Sequence, residues 1–74
     1  MPPETVEIVE VRINGEIKEI PADINLAELL KHLELPSERL AVELNSEVVR
    51  RMNWENIKVK NADKIEIVHF VGGG

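Results

Sequence analysis

The chain closes on Phe70-Val71-Gly72-Gly73-Gly74, and the group there with chemistry to offer is the α-carboxylate of Gly74. A terminal carboxyl, with a pKa of about 3.3 to 3.7, is ionised at neutral pH. It can attack the α-phosphate of ATP to give an acyl-adenylate, an anhydride that sulfur opens readily. With a persulfide as the sulfur source, the product is a C-terminal thiocarboxylate, a far better nucleophile at neutral pH than the carboxylate it replaces.

The glycines suit that use. Standing last in the sequence, they are not expected to cap a helix or make a turn, and ordering them costs more backbone entropy than any other tripeptide. Without Cβ atoms, Gly72 and Gly73 form a thin segment able to thread a narrow channel and place the Gly74 carboxylate in another protein's active site. Phe70 and Val71 run into the glycines without the Ser-rich spacing of a linker, so the last strand is expected to hand over to a mobile arm there. His69, Phe70 and Val71 are accordingly the expected docking residues. A plain binding module with an inert tail is the alternative.

Composition narrows what the rest of the chain can be. Its 74 residues, 43% hydrophobic and 31% charged, make one domain with one small core. So short a chain cannot also wall off a deep catalytic cavity, and chemistry is expected to come from partner enzymes. Fourteen acidic residues against nine basic ones give a net charge of -5. No basic stripe is present to neutralise phosphates, so nucleic acid is not an expected partner. Arg50-Arg51 reads as a solvated turn or a single protein contact. The acidic surface, of which Glu7 and Glu10 are part, is expected to steer the chain toward basic partners.

There is no cysteine, hence no disulfide, thiolate metal site or thiol nucleophile. His32 and His69 lack companions at metal-ligand spacing, so neither a metal nor a bound cofactor is expected, ATP being used by the activating partner. No apolar run approaches the roughly 20 residues of a membrane span, and Met1-Pro2-Pro3-Glu4 lacks the features of a signal peptide. The expected address is the cytoplasm, away from any membrane.

The elements that must position the tail are legible in outline. Val9, Val11 and Ile13 alternate with Glu10 and Arg12 within a strand from Thr5 to Ile13, while Val6 and Ile8 fall in the opposite phase. The strand therefore either begins late or carries a bulge near Ile8 and Val9. Asn14-Gly15 predicts a type I′ turn, and Glu16 to Ile20 a returning strand at a sheet edge, with Ile17 and Ile20 out of phase and Pro21 ending it. Asn25 with Glu28 forms a capping box and Ile24 with Leu29 a hydrophobic staple; Leu26, Leu29, Leu30 and Leu33 make one helical stripe, stopped by Leu35-Pro36. His32 faces water on that helix.

Leu40 to Leu44 then reads as a strand, with Val48-Val49-Arg50 as its short partner across Asn45-Ser46-Glu47. A loop or single helical turn follows through Met52, Asn53 and Trp54, with Trp54 packed beneath it. Beyond Ile57, Val59 and a turn at Asn61-Ala62-Asp63, Ile65 to Phe70 is apolar enough for a central strand. The order predicts an α+β fold, the β-grasp or ubiquitin-like arrangement, with one main helix packed on one face of a mixed sheet. It assigns residues 1–70 to the domain and 71–74 to a flexible glycine tail. The uncovered sheet face is the expected docking patch.

Several segments resemble the ThiS family of sulfur carriers of thiamin biosynthesis: Val11-Arg12-Ile13-Asn14-Gly15, Leu26-Ala27-Glu28-Leu29-Leu30, Ala41-Val42-Glu43-Leu44-Asn45, and Ile65 through Gly74. The resemblance spans nearly the whole chain. It implies that Gly74 is adenylated by an E1-like adenylyltransferase (ThiF-like), takes sulfur from a sulfur donor, and is presented to a thiazole synthase (ThiG-like). The Met1 to Glu7 extension is longer than usual for that family, and Lys18 stands where an apolar residue is common. Rival readings are the small subunit of molybdopterin synthase, whose tail usually carries prolines before the glycines, and a ubiquitin-like modifier of lysines.

Overall fold

The computed structural model describes residues 7–36 and 38–70. Strands β1 (Ile8–Ile13), β2 (Glu16–Pro21), β3 (Leu40–Leu44), β4 (Glu47–Val49) and β5 (Lys64–His69) form one sheet, and helix α1 (Leu26–His32) packs on one of its faces. The strand order is β2-β1-β5-β3-β4; β5 runs parallel to β1 and antiparallel to β3. This is the β-grasp arrangement. The last strand is the central one, as its apolar run requires.

Asn14 and Gly15 both have positive φ, 50° and 85°, the signature of the type I′ turn. Nothing lies near the position a Gly15 side chain would occupy, so backbone conformation alone demands glycine there. From this turn β1 and β2 pair without interruption, Ile13 against Glu16 through Ile8 against Pro21. There is no bulge. The strand simply begins late: Ile8 is on the open face and 57% exposed, while Val11 and Ile13 are buried. On β2, a sheet edge as expected, Ile20 is buried and Ile17 is 59% exposed. Pro21 does not stand outside this strand; it is the final paired residue, tolerated because it sits on an edge.

Asn25 caps α1 as its sequence dictates. Its side chain accepts from the Glu28 N–H at 2.8 Å, and the Glu28 carboxylate accepts from the Asn25 N–H at 2.9 Å. Leu26, Leu29 and Leu30 are buried, with Leu33 and Ile24 packed against the core. The helix ends earlier than Leu35-Pro36 would enforce. Glu34 adopts φ 58°, its N–H donates to the Lys31 carbonyl at 2.9 Å, and the Leu35 N–H donates to the Leu30 carbonyl at 3.0 Å. These two bonds make a Schellman motif, normally closed by glycine.

The second hairpin is tighter than the sequence suggests. Asn45 and Ser46 both have positive φ, and Leu44 already pairs with Glu47, so the turn has two residues and β4 is Glu47–Val49. Arg50 instead precedes a 3-10 helix, Arg51–Asn56, which brings Trp54 into the core. The Trp54 indole N–H donates to the Val49 carbonyl at 2.9 Å, and the Arg51 guanidinium lies 5.3 Å from the ring centroid. Asn25 and Lys58 then form an isolated bridge, with Leu26 N–H to Ile57 O and Val59 N–H to Ile24 O, tying this segment to the start of the helix.

Two asparagines fasten β5 from either side. The Asn14 N–H donates to the Ile65 carbonyl at 2.9 Å; its side-chain Oδ1 accepts from the Ile67 N–H at 2.7 Å, and its Nδ2 donates to the Ile67 carbonyl at 3.1 Å. On the other flank the Asn45 N–H donates to the Lys64 carbonyl at 2.7 Å, and its Oδ1 accepts from the Lys64 N–H at 2.9 Å. Each residue has left strand conformation to begin a turn. Its side-chain oxygen takes the place in the ladder that its own carbonyl would otherwise hold.

Two stability predictions follow from strained positions. Replacing Glu34 with glycine relieves a left-handed L-residue and should raise stability by about 0.5 to 1 kcal/mol, after the entropic cost of the glycine, in thermal or urea unfolding. Glu43 and Glu66 lie directly opposite on β3 and β5, and neither carboxylate has an ion-pair partner among the described residues. Glu43→Gln should therefore stabilise by a few tenths of a kcal/mol, with the gain shrinking as salt rises.

Candidate functional site

Alternation along β5 decides what its end presents. Ile65, wholly buried, and Ile67 share the helix-facing side, and Glu66 and Val68 face the other way. His69 pairs with the buried Leu40 and so follows Ile65 and Ile67 in phase. It is exposed, on the helix-facing side but beyond the reach of the covering layer. Phe70 follows the strand and is still tethered, its N–H donating to the Arg39 carbonyl at 3.0 Å. It is 47% exposed, unusual for the only phenylalanine of a small domain. Val71, Gly72, Gly73 and Gly74 lie outside the described residues.

The open face nearest this end carries Val68, 55% exposed, directly across from Ala41. The next pair along is Glu43 and Glu66, and Val48 on β4, 71% exposed, stands across from Glu43. Small apolar groups around two carboxylates are the kind of surface that suits a partner with apolar contacts and a cation. The half of the face on β1 and β2 is different: Arg12 and Lys64 are paired there, with Ile17 across from Arg12.

Lys18 is in phase with Ile20 and so points toward the helix layer. Its ammonium approaches the Glu16 carboxylate at 4.0 Å, and it lines one shallow pocket together with Leu33. The charge is accommodated because the position sits on an edge strand, where a long side chain covers apolar surface and leaves its head in water. An apolar groove of about 270 Å³ lies elsewhere, between α1 and the 3-10 helix, lined by Ala27, Leu30, Leu35, Met52 and Trp54. Among the described residues no three His, Asp or Glu side chains gather to hold a metal, and no helix is long and apolar enough to cross a membrane.

Sequence reasoning found the last strand but not the residue that fastens its far end. Asn14 reads only as a turn former, and nothing local shows that its amide reaches a strand 53 positions away.

Comparison with known proteins agrees with this arrangement. The model of the ThiS family matches residues 11–74, which include the tail. The sulfur carrier protein ThiS of Bacillus subtilis is 32% identical over 65 residues, covering 86% of this chain and 98% of that one. A thiazole synthase of Paramagnetospirillum magneticum is 40% identical over 62 residues, which span 84% of this chain and only 19% of the synthase. The crystal structure of a thiamine biosynthesis protein (ThiS) from Geobacter metallireducens superposes with a TM-score of 0.81 at 33% identity, covering 89% of this chain and all of that one. With a central last strand that runs toward a triple-glycine end, and a family match over most of its length, the chain belongs to the ThiS family.

Proposed function

We propose that this protein is a sulfur carrier and not itself a catalyst, with the Gly74 carboxylate as the cargo site. The observation that carries the reading is the central position of β5. The strand most firmly held in the sheet runs directly to an exposed Phe70, four residues before Gly74. A terminal carboxylate beyond such a strand end suits presentation to a partner's active site.

The chemistry is transfer between partners. In an E1-like adenylyltransferase the Gly74 carboxylate attacks the α-phosphate of ATP and pyrophosphate leaves. A persulfide of the sulfur donor opens the resulting anhydride and AMP leaves. A thiol then cleaves the S–S bond, and the thiocarboxylate remains on Gly74. Gly72 and Gly73 supply the narrow reach. Phe70, Val71, Val68 and the carboxylates of Glu43 and Glu66 supply docking, with His69 at the opposite rim of the same strand end. No bound cofactor is required of the carrier.

The recipient is a thiazole synthase, and sulfur is donated to thiazole formation in thiamin biosynthesis. A thiazole synthase containing a segment similar to this chain favours that choice. Two modules joined in one polypeptide meet at high effective concentration, an arrangement that serves partners acting on each other. The work is placed in the cytoplasm, with its ATP.

Incubation with ATP, an E1-like enzyme and a persulfide donor should exchange one oxygen of the carrier for sulfur, read by intact-protein mass spectrometry. Extending the chain beyond Gly74 should abolish the exchange and leave the fold intact; persistence of the exchange would sink the assignment. Docking through the open face predicts that Val68→Thr, which keeps a β-branched side chain and adds no charge, holds the melting temperature but raises KM for the activating enzyme several-fold. The acidic surface predicts that association slows as salt rises, and a salt-independent on-rate in stopped flow would count against electrostatic steering.

A further inference from the structure

The open face carries its charges in two halves of opposite sign. On β1 and β5, Arg12 lies directly opposite Lys64; on β3 and β5, Glu43 lies directly opposite Glu66. Like charges in facing positions of a sheet repel, so each pair costs the free domain stability. The two pairs are neighbours, their boundary crossing β5 between Lys64 and Glu66, and none of the four side chains forms an ion pair among the described residues. An exposed apolar group flanks each half, Ile17 beside Arg12 and Val68 beyond Glu66.

We propose that this face binds a second copy of the chain, the acidic half of each copy covering the basic half of the other. Strands lie about 4.8 Å apart, and successive residues of one face about 6.7 Å apart. On that grid a two-fold axis in the plane of contact, passing between the two halves, lays Arg12 and Lys64 of one copy over the Glu43 and Glu66 carboxylates of the other, and Ile17 over Val68. Each contact then occurs twice, as a two-fold interface requires. Chains of net charge -5 repel at a distance, but at physiological ionic strength that repulsion is screened beyond about 8 Å, while the cross-copy pairs act at contact. The face measures about 20 Å by 20 Å, so the dimer buries about 800 Å² in total, less than the roughly 1,200 Å² of stable complexes. It is therefore weak and reversible. Partner docking uses the same face on the carrier reading above, and on that reading self-association and docking exclude each other.

Sedimentation equilibrium of the full chain tests this without any partner enzyme, so its outcome is independent of the carrier reading. Between about 10 µM and 1 mM the average mass should climb from one chain toward two. Over the same range the backbone amide signals of Arg12, Glu43, Lys64 and Glu66 should shift in NMR spectra. Two charge-reversed chains then locate the contact. Glu43→Lys with Glu66→Lys makes both halves basic, and Arg12→Glu with Lys64→Glu makes both acidic. Circular dichroism checks that each is folded.

Each reversed chain alone should associate at least about tenfold more weakly than the wild type. An equimolar mixture of the two should recover association to within about threefold, because the mixed pair matches opposite signs throughout and carries the same total charge as two wild-type chains. The basic variant discriminates most sharply: it is less negative than the wild type, so association governed by net repulsion would strengthen in it. Where a reversal unfolds the domain, Glu43→Gln with Glu66→Gln takes its place and should weaken association about threefold. A wild-type chain that stays monomeric throughout, folded variants that associate as tightly as the wild type, or a mixture that stays monomeric would each overturn the proposal.

Discussion

The strand that arrives last in the chain occupies the middle of the sheet, and the rest of the structure depends on that insertion. β5 must find hydrogen-bond partners on two flanks, one parallel and one antiparallel, and bury Ile65 completely. Buried backbone groups left unpaired cost as much as lost hydrogen bonds, so both flanks must be complete over the length that is covered. β1 and β3 are too short to do this with their own backbones, since each turns away into a hairpin. Asn14 and Asn45 continue the ladders with side chains.

That solution couples two demands usually met by different residues. A type I′ turn asks for residues that tolerate positive φ, and asparagine is among the few non-glycine types that do. A truncated ladder asks for a donor and an acceptor held on a short, stiff side chain, and the asparagine amide supplies both. Glycine would satisfy only the first demand. The central strand is thus anchored by the two hairpins beside it.

The two faces of the sheet divide the remaining labour. One is sealed by the leucine stripe of α1, with Trp54 closing the side where the 3-10 helix packs. The other is open, and near the arm it carries Val68, Ala41 and Val48 about two opposed carboxylates, a combination that costs the free domain stability. A surface that is suboptimal alone and apolar at its margins is consistent with one shaped for association.

Much of this was written in local sequence. The Asn25 and Glu28 capping box, the spacing of Leu26, Leu29, Leu30 and Leu33, the Asn14-Gly15 turn and the apolar run of β5 are short-range signals whose physics acts within a few residues, and they determined the element types and the β-grasp order. What failed locally failed because the conformation was unusual: Glu34 in a left-handed helix stop and Asn45-Ser46 as a two-residue turn. The reach of Asn14 to Ile67 has no local signature at all. Only the tertiary structure could decide it, because a side-chain hydrogen bond across 53 positions exists only once the last strand has slid between the first and the third.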